Sequence, residues 1–462
     1  MKKQNKVAFF NIMSTVLLRG ISLFTAPVIS RMLGTEGYGV VSIYTIWMGV
    51  ASIIFSLQLH GTLVNARVEY SEDQQHKYQS SIMSLSLLFF AFCGGLVTLF
   101  LPRISAVLKL ENVLILLLVF HAFGNFAVHF LNNIFTYEYK ADKNMIMTVA
   151  ITVVTLALSM LLILVFPKDI NYYGRILGMS LPYGILGVAI CIYILARGKT
   201  FYNREYWHLA LTLAIPVVFH SLSDIILGHC DRVMLQQMMT ESMVGQYSLA
   251  FNFGGIMLTI FTALNNSWVP FYFDDFKAGR SDQVHDKAKN FLELFTVLCV
   301  GFNLLSVEVY HIFAGREFWP GTSLVPIFVS SYFLNFLCTF PVNYEYYYKK
   351  TKVVAVVTVT ASVINIVLNY VLIRSVGMMG AALATAISHG LQLAMHYVYV
   401  RHILRKGDYP FGFGMWAKYV AIYFGLVAFV YLTADLWLVR WCVGAAIGVW
   451  ELLRIRKRRV IF

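Results

Sequence analysis

The sequence predicts an all-α polytopic membrane protein of about fourteen transmembrane helices, two six-helix lobes in parallel repeat plus two C-terminal helices. Three observations lead there. Of 462 residues, 59% are hydrophobic and only 13% charged, whereas a soluble domain needs roughly 25% charged residues to cover its surface. Apolar stretches of the roughly 20 residues that cross a bilayer follow one another along the whole chain. The Lys and Arg residues gather in every second connection between them.

The first span, about 8–32, follows a basic start (Lys2, Lys3, Lys6) and has no small-residue cleavage site, so it reads as a retained helix. Further spans are expected at about 37–62, 78–101, 113–136, 145–166, 173–196, 208–238, 242–272, 284–313, 321–346, 352–374, 377–400, 415–434 and 437–453. All connections are too short for a soluble domain. With the N-terminus in the cytoplasm, twenty-five Lys and Arg lie on the inner side and seven on the outer, Arg31, Arg103, Lys109, Lys168, Arg316, Arg374 and Arg440. This positive-inside bias places both termini in the cytoplasm. The expected divisions are an N-terminal lobe over 1–200, a C-terminal lobe over 201–406, and two further helices with a basic tail over 407–462.

Two segments support a repeat. Gly34-Thr35-Glu36-Gly37-Tyr38-Gly39 follows the first span, and Thr240-Glu241-Ser242-Met243-Val244-Gly245-Gln246-Tyr247 follows the seventh; Gly37 and Gly245 are 208 positions apart. Within both halves polar residues recur at helical spacing: Asn11, Thr15, Arg19 and Ser22; Thr45, Ser52, Ser56 and His60; His121, Asn125, His129, Asn132 and Thr136. The second half has His220, Asp224 and Asp231, then Asn252, Thr259, Thr262 and Asn266, then Ser362, Asn365 and Asn369, then Thr385, Ser388, Gln392 and His396. Each Ser, Thr or Asn can be satisfied by a neighbouring helix. Stripes on seven helices together imply a hydrated path, because polar faces in a bilayer turn toward protein or water.

Arg19 stands out among the charges. A guanidinium at mid-membrane costs at least ~2.5–3.5 kcal/mol on insertion scales, and the first six spans supply no carboxylate at its depth. It reads either as an anion site or as a partner of Asp224. Asp224 alone could bind a proton or Na⁺, while Asp231 beside Arg232 reads as an ion pair or a gate. Arg31 and Arg175 sit at outer helix ends and either face the cavity or snorkel to headgroups. His60, Asn125, His129, Asn252 and Asn365 complete the candidate substrate-binding set. Glu308 and His311 have no assigned role, and the Tyr344 to Lys350 cluster reads as an interfacial belt.

Several classes are excluded. The net charge of +13 falls in short clusters and forms no nucleic-acid stripe. The six cysteines stand singly in apolar runs and read as packing residues. His229-Cys230-Asp231 cannot converge on one metal, since consecutive residues point around a helix. No phosphate-binding Gly-rich Lys loop and no nucleophile with a base at motif spacing is present.

The run Ser30-Arg31-Met32-Leu33-Gly34-Thr35-Glu36-Gly37-Tyr38-Gly39, with Asp231-Arg232-Val233-Met234-Leu235, Gly174-Arg175-Ile176 and Gly377 to Ser388, resembles the bacterial oligosaccharide-lipid flippases of O-antigen and capsule pathways. These belong to the multidrug, oligosaccharidyl-lipid and polysaccharide exporter superfamily, which has a MATE-like fold. The resemblance implies alternating access that moves an undecaprenyl-diphosphate-linked oligosaccharide from the inner to the outer leaflet of the bacterial cytoplasmic membrane. It also implies membrane lipids, a polysaccharide polymerase and other pathway proteins as partners, no nucleic acid, and no cofactor apart from a proton or Na⁺ gradient. Arg suits such a cargo because it binds phosphate oxygens in pairs. Two alternatives stay open, an ion-coupled multidrug antiporter of the same fold and a membrane polymerase or ligase; the latter would need a long outer loop for its catalytic residues.

Overall fold

A computed structural model describes the backbone of residues 3–404, 409 and 411–458. Side chains are described from residue 24 onward except at 227, 281, 455, 457 and 458, and before it at 10, 13–15, 17, 18, 20 and 21. Arg19 and Ser22 therefore lie in helix with side chains outside the described residues, and Arg405, Lys406 and Arg459 lie outside altogether.

Every expected span coincides with a long helix. The first two are arms of one continuous element, Lys3–Ser56, divided at Gly34 into α1 (3–33) and α2 (35–56). Gly34 sits at φ 71°, ψ 176°, inside no helix and in the region where a side chain is strained. Then come α3 (Glu72–Leu99), α4 (Asn112–Tyr137), α5 (Ala141–Val165), α6 (Asn171–Gly198) and α7 (Arg204–Met238). The rest are α8 (Glu241–Lys277), α9 (Ser281–Phe313), α10 (Val325–Tyr347), α11 (Thr351–Val376), α12 (Met378–Val398), α13 (Phe413–Leu432) and α14 (Trp437–Arg458). Among the described residues, twelve helical segments are long and apolar enough to cross a membrane. The N-terminal arm, α1, and the charged α14 account for the difference from fourteen.

Local chemistry sets the helix ends. Ser71 opens α3 in a capping box with Gln74, and the Asn203 side chain accepts from the Tyr206 amide at 3.1 Å to start α7. Gly377, at φ 60°, ends α11 and turns the chain directly into α12.

The chain divides into two compact units, 1–245 and 246–462, so α7 groups with the first. Close approach in the first unit comes from glycine. A Cβ at Gly174 would lie 2.5 Å from the Leu162 carbonyl carbon, one at Gly178 2.4 Å from the Ser159 Cα, and one at Gly124 2.3 Å from the Tyr183 backbone. Only hydrogen fits, so α6 packs on α5 and α4 backbone to backbone, the mode that replaces hydrophobic driving force in lipid. The second unit is built on aromatic rings instead. Phe336 and Phe340 of α10 meet Phe291 and Phe295 of α9, and Trp268 of α8 stacks on Phe291 at 5.5 Å. α10 is its central helix, with 83% of its most apolar window buried.

The first and seventh spans end at a reciprocal contact within the first unit. A Cβ at Gly39 would lie 2.0 Å from the Glu241 carbonyl oxygen, and one at Gly245 would lie 1.9 Å from that of Thr35. The Thr35 and Ser242 hydroxyls bond at 2.8 Å. Each glycine thus faces the carbonyl four residues before the other. Gly39, not Gly37, is the glycine that meets Gly245.

Candidate functional site: the polar face of α4

Nearly half of α4 is buried, including His121, Phe126 and Phe130. Its first turns expose the apolar Val113 and Leu116. Further along, a polar stripe is open: His129 and Thr136 are exposed, and Asn125 and Asn132 are half-buried. The exposed positions of α5 and α6 are apolar instead, among them Val153, Val154, Leu161, Ile185 and Ile192. Unpaired polar groups do not face hydrocarbon. The α5 and α6 faces therefore suit lipid, and the α4 stripe suits water.

Opposite the stripe, α2 stops short. Leu57 and Gln58 adopt left-handed backbone at φ 49° and 53°, a conformation costing about 1–2 kcal/mol for each non-glycine residue. A 3-10 turn, Leu59–Thr62, follows, with the Tyr78 hydroxyl donating to Thr62 Oγ1 at 2.8 Å. The break sets His60 over α4. Its ring stacks on His129 with centroids 5.9 Å apart and 28° between planes, and Asn133 Nδ2 donates to its carbonyl at 3.0 Å. Asn125 Nδ2 donates to Ser52 Oγ at 3.2 Å. Two turns away from His129, His121 Nδ1 lies 3.3 Å from the Tyr44 hydroxyl inside the unit.

The structure thus gathers His60, Asn125 and His129 at one place and puts the other candidates elsewhere. Arg31 is exposed in the last turn of α1. Arg175 does not snorkel: its guanidinium donates to Ser159 Oγ at 2.8 Å, and glycine contacts at 174 and 178 bring the two helices close enough for that bond. Asp224 is exposed, 3.6 Å from His220 one turn earlier. Asp231 and Arg232, by contrast, are buried, the Asp231 carboxylate accepting the Arg232 amide at 2.7 Å. Seven residues of spacing did not give Asp224 and Asp231 the same environment. Asn252 is exposed on α8 of the second unit. Asn365 is buried, donating to Ser388 Oγ at 3.2 Å and accepting from Asn369 at 2.9 Å, so the structure uses it to join α11 to α12.

Four ion pairs went unread in the second unit. Glu345, expected in an interfacial belt, is fully buried, and His396 Nδ1 bonds both its oxygens at 2.8 and 3.0 Å. Glu308 pairs with Arg440, whose guanidinium also donates to the Thr433 carbonyl at 2.6 Å and caps the end of α13. Arg454 pairs with Glu293 and, at 2.5 Å and three positions away, with Glu451. The other three pairs join partners 51, 132 and 161 positions apart, beyond any spacing rule; the available signal was a carboxylate inside an apolar run. Tyr409, between spans, has its phenol held well above the ordinary range by burial and by Tyr272, Tyr397, Cys338 and Glu345. Cys93, Cys191, Cys299 and Cys338 are buried as expected, while Cys442 is exposed.

Residues 5–274 match the family model described as polysaccharide biosynthesis protein. A Haemophilus influenzae protein described as an uncharacterized membrane protein is 24% identical over 348 residues, covering 73% of this chain and 82% of its own. Among solved structures, the lipid II flippase MurJ in an inward closed conformation has a TM-score of 0.71 at 14% identity, covering 98% of this chain and 100% of that one. An inward-facing MATE family multidrug transporter of the MOP superfamily has a TM-score of 0.63 at 14% identity, covering 82% and 93%. The fold is the one these two share, and the family match spans more than half of the sequence. The chain belongs to the polysaccharide biosynthesis protein family.

Proposed function

We propose that this protein flips an undecaprenyl-diphosphate-linked oligosaccharide repeat unit across the bacterial cytoplasmic membrane by alternating access, with both termini in the cytoplasm. The open stripe Asn125, His129, Asn132 and Thr136 is the observation that favours this reading. It offers amides, a hydroxyl and an imidazole along one water-facing wall, the groups that hydrogen-bond sugar hydroxyls and, when protonated, hold phosphate. Family membership and the MurJ-like fold support it, and the basic Arg19 on the same unit suits an anionic headgroup.

Deletion of the gene is expected to abolish surface polysaccharide and to accumulate lipid-linked repeat units in the membrane, measured by extraction and mass spectrometry. At equal protein level, Arg19→Ala is expected to reproduce the defect and Arg19→Lys to restore part of the export. Unchanged polymer in the deletion strain overturns the reading. Asp224, exposed beside His220, is the proposed coupling residue: collapse of the proton or Na⁺ gradient is then expected to slow export in the unaltered chain and not in Asp224→Asn.

A further inference from the structure

The strongest unexplained feature of the first unit is what surrounds His60. Two consecutive non-glycine residues are held in left-handed backbone just before it. Such strain persists where the surroundings enforce it, and it concentrates at ligand sites. The His60 Nδ1 and Asn132 Oδ1 atoms are both buried without a hydrogen-bond partner, although buried polar atoms normally have one. His129, exposed, stacks across from His60 at 5.9 Å.

On α4 the polar groups near the pair are Asn125, Asn132, Asn133 and, two turns away, His121; on α2 and its 3-10 turn, Ser52 and Thr62; on α3, Tyr78, which holds Thr62. α7, which also packs against the turn, carries His208, His220 and Asp224, the last two beside each other. Among the described residues, no carboxylate lies within ion-pair distance of either ring. Arg67 beyond the turn is engaged over the Tyr139 ring at 4.8 Å.

Two stacked imidazoles without a carboxylate repel each other once both are protonated, and an anion at their common edge offsets that repulsion. In-plane N–H groups of both rings can reach oxygens of one phosphate group there in bonds of about 2.8 Å. A neutral hydroxyl cannot balance two charges. From this geometry we infer that His60 and His129 form a phosphate-binding station that engages the phosphorylated headgroup of the cargo and binds more tightly as pH falls.

This inference rests on the flippase reading and assigns its phosphate contact to the broken end of α2. The sign follows from imidazole chemistry: an anion that requires both rings protonated binds more tightly the lower the pH. The α2 break supplies the geometry and the pair supplies the pH dependence.

The test uses purified full-length protein in detergent with three probes: farnesyl diphosphate, inorganic pyrophosphate and farnesol. Dissociation constants are measured between pH 5.5 and 8. For the unaltered chain, farnesyl diphosphate is expected to bind about tenfold tighter at pH 5.5 than at pH 8. His129→Gln, at an exposed position where misfolding is not expected, reduces that ratio below twofold, as does His60→Gln. His285→Gln, in the second unit, leaves it unchanged. Equal pH dependence with pyrophosphate still supports the station and shows that the free anion suffices; dependence with farnesyl diphosphate alone shows that the lipid tail contributes. Equal pH dependence with farnesol, a flat profile in the unaltered chain, or a retained profile in both variants overturns the inference. The flippase reading stands or falls separately on export by the deletion strain, which involves neither histidine variant.

Discussion

Glu345 and His396 show what a single buried pair commits the fold to. Both side chains are fully removed from solvent, and the imidazole spans both carboxylate oxygens. Removing one partner leaves an uncompensated polar or charged group, which costs about 3–5 kcal/mol. Glu345→Ala is therefore expected to lower the thermal midpoint of the detergent-purified protein sharply, read by tryptophan fluorescence. Equal midpoints for Glu345→Ala and the unaltered chain would show that the pair adds nothing. Sequence alone could not find this pair. Tyr344 to Lys350 has the composition of a membrane-interface belt, and only the packing of α10 against α12 shows that Glu345 points inward.

Among the elements, α6 has the least freedom. Its glycines at 174 and 178 lie against backbone of α5, so Gly178→Leu is expected to prevent the two helices from meeting and to abolish monodisperse protein on size exclusion. Gly95→Ala, where a Cβ meets nothing within 4 Å, is expected to have no such effect. The junction of α1 with α2 is equally constrained against Glu241, Ser242 and Gly245 at the start of α8. In a background lacking the native cysteines, Thr35→Cys with Ser242→Cys is expected to form a disulfide, since the native hydroxyls are 2.8 Å apart. If the flippase must part this contact in each cycle, oxidation stops export and a reductant restores it. Export that continues while cross-linked means that the contact stays closed. Helix positions were legible because a 20-residue apolar run is a strong signal. Gly37 and Gly39 are both glycines, and only contact geometry shows that Gly39 is the one lodged against the start of α8.

For the whole molecule, exposure of polar or apolar residues distinguishes a wall that suits water from faces that suit lipid. The sequence already showed polar stripes at helical spacing, and the open part of α4 is one of them. Spacing did not show which stripe members are consumed internally. Asn365 bonds Ser388 and Asn369, Asn125 bonds Ser52, and Asp231 bonds its neighbour's amide, although all three share the helical spacing of the exposed His129. The break in α2 was also hidden. Leu57 and Gln58 are ordinary helix formers, and nothing in their identity announces left-handed backbone.

The mutual approach of Gly39 and Gly245 has a consequence for how such a chain can change over generations. Each has a bare α-carbon lodged under the other's main chain. A methyl at either site collides with an oxygen that no rotamer can move aside, so no compensating side chain exists and a substitution at one glycine is not rescued at the other. Two missing side chains thus fix which sequences this junction tolerates.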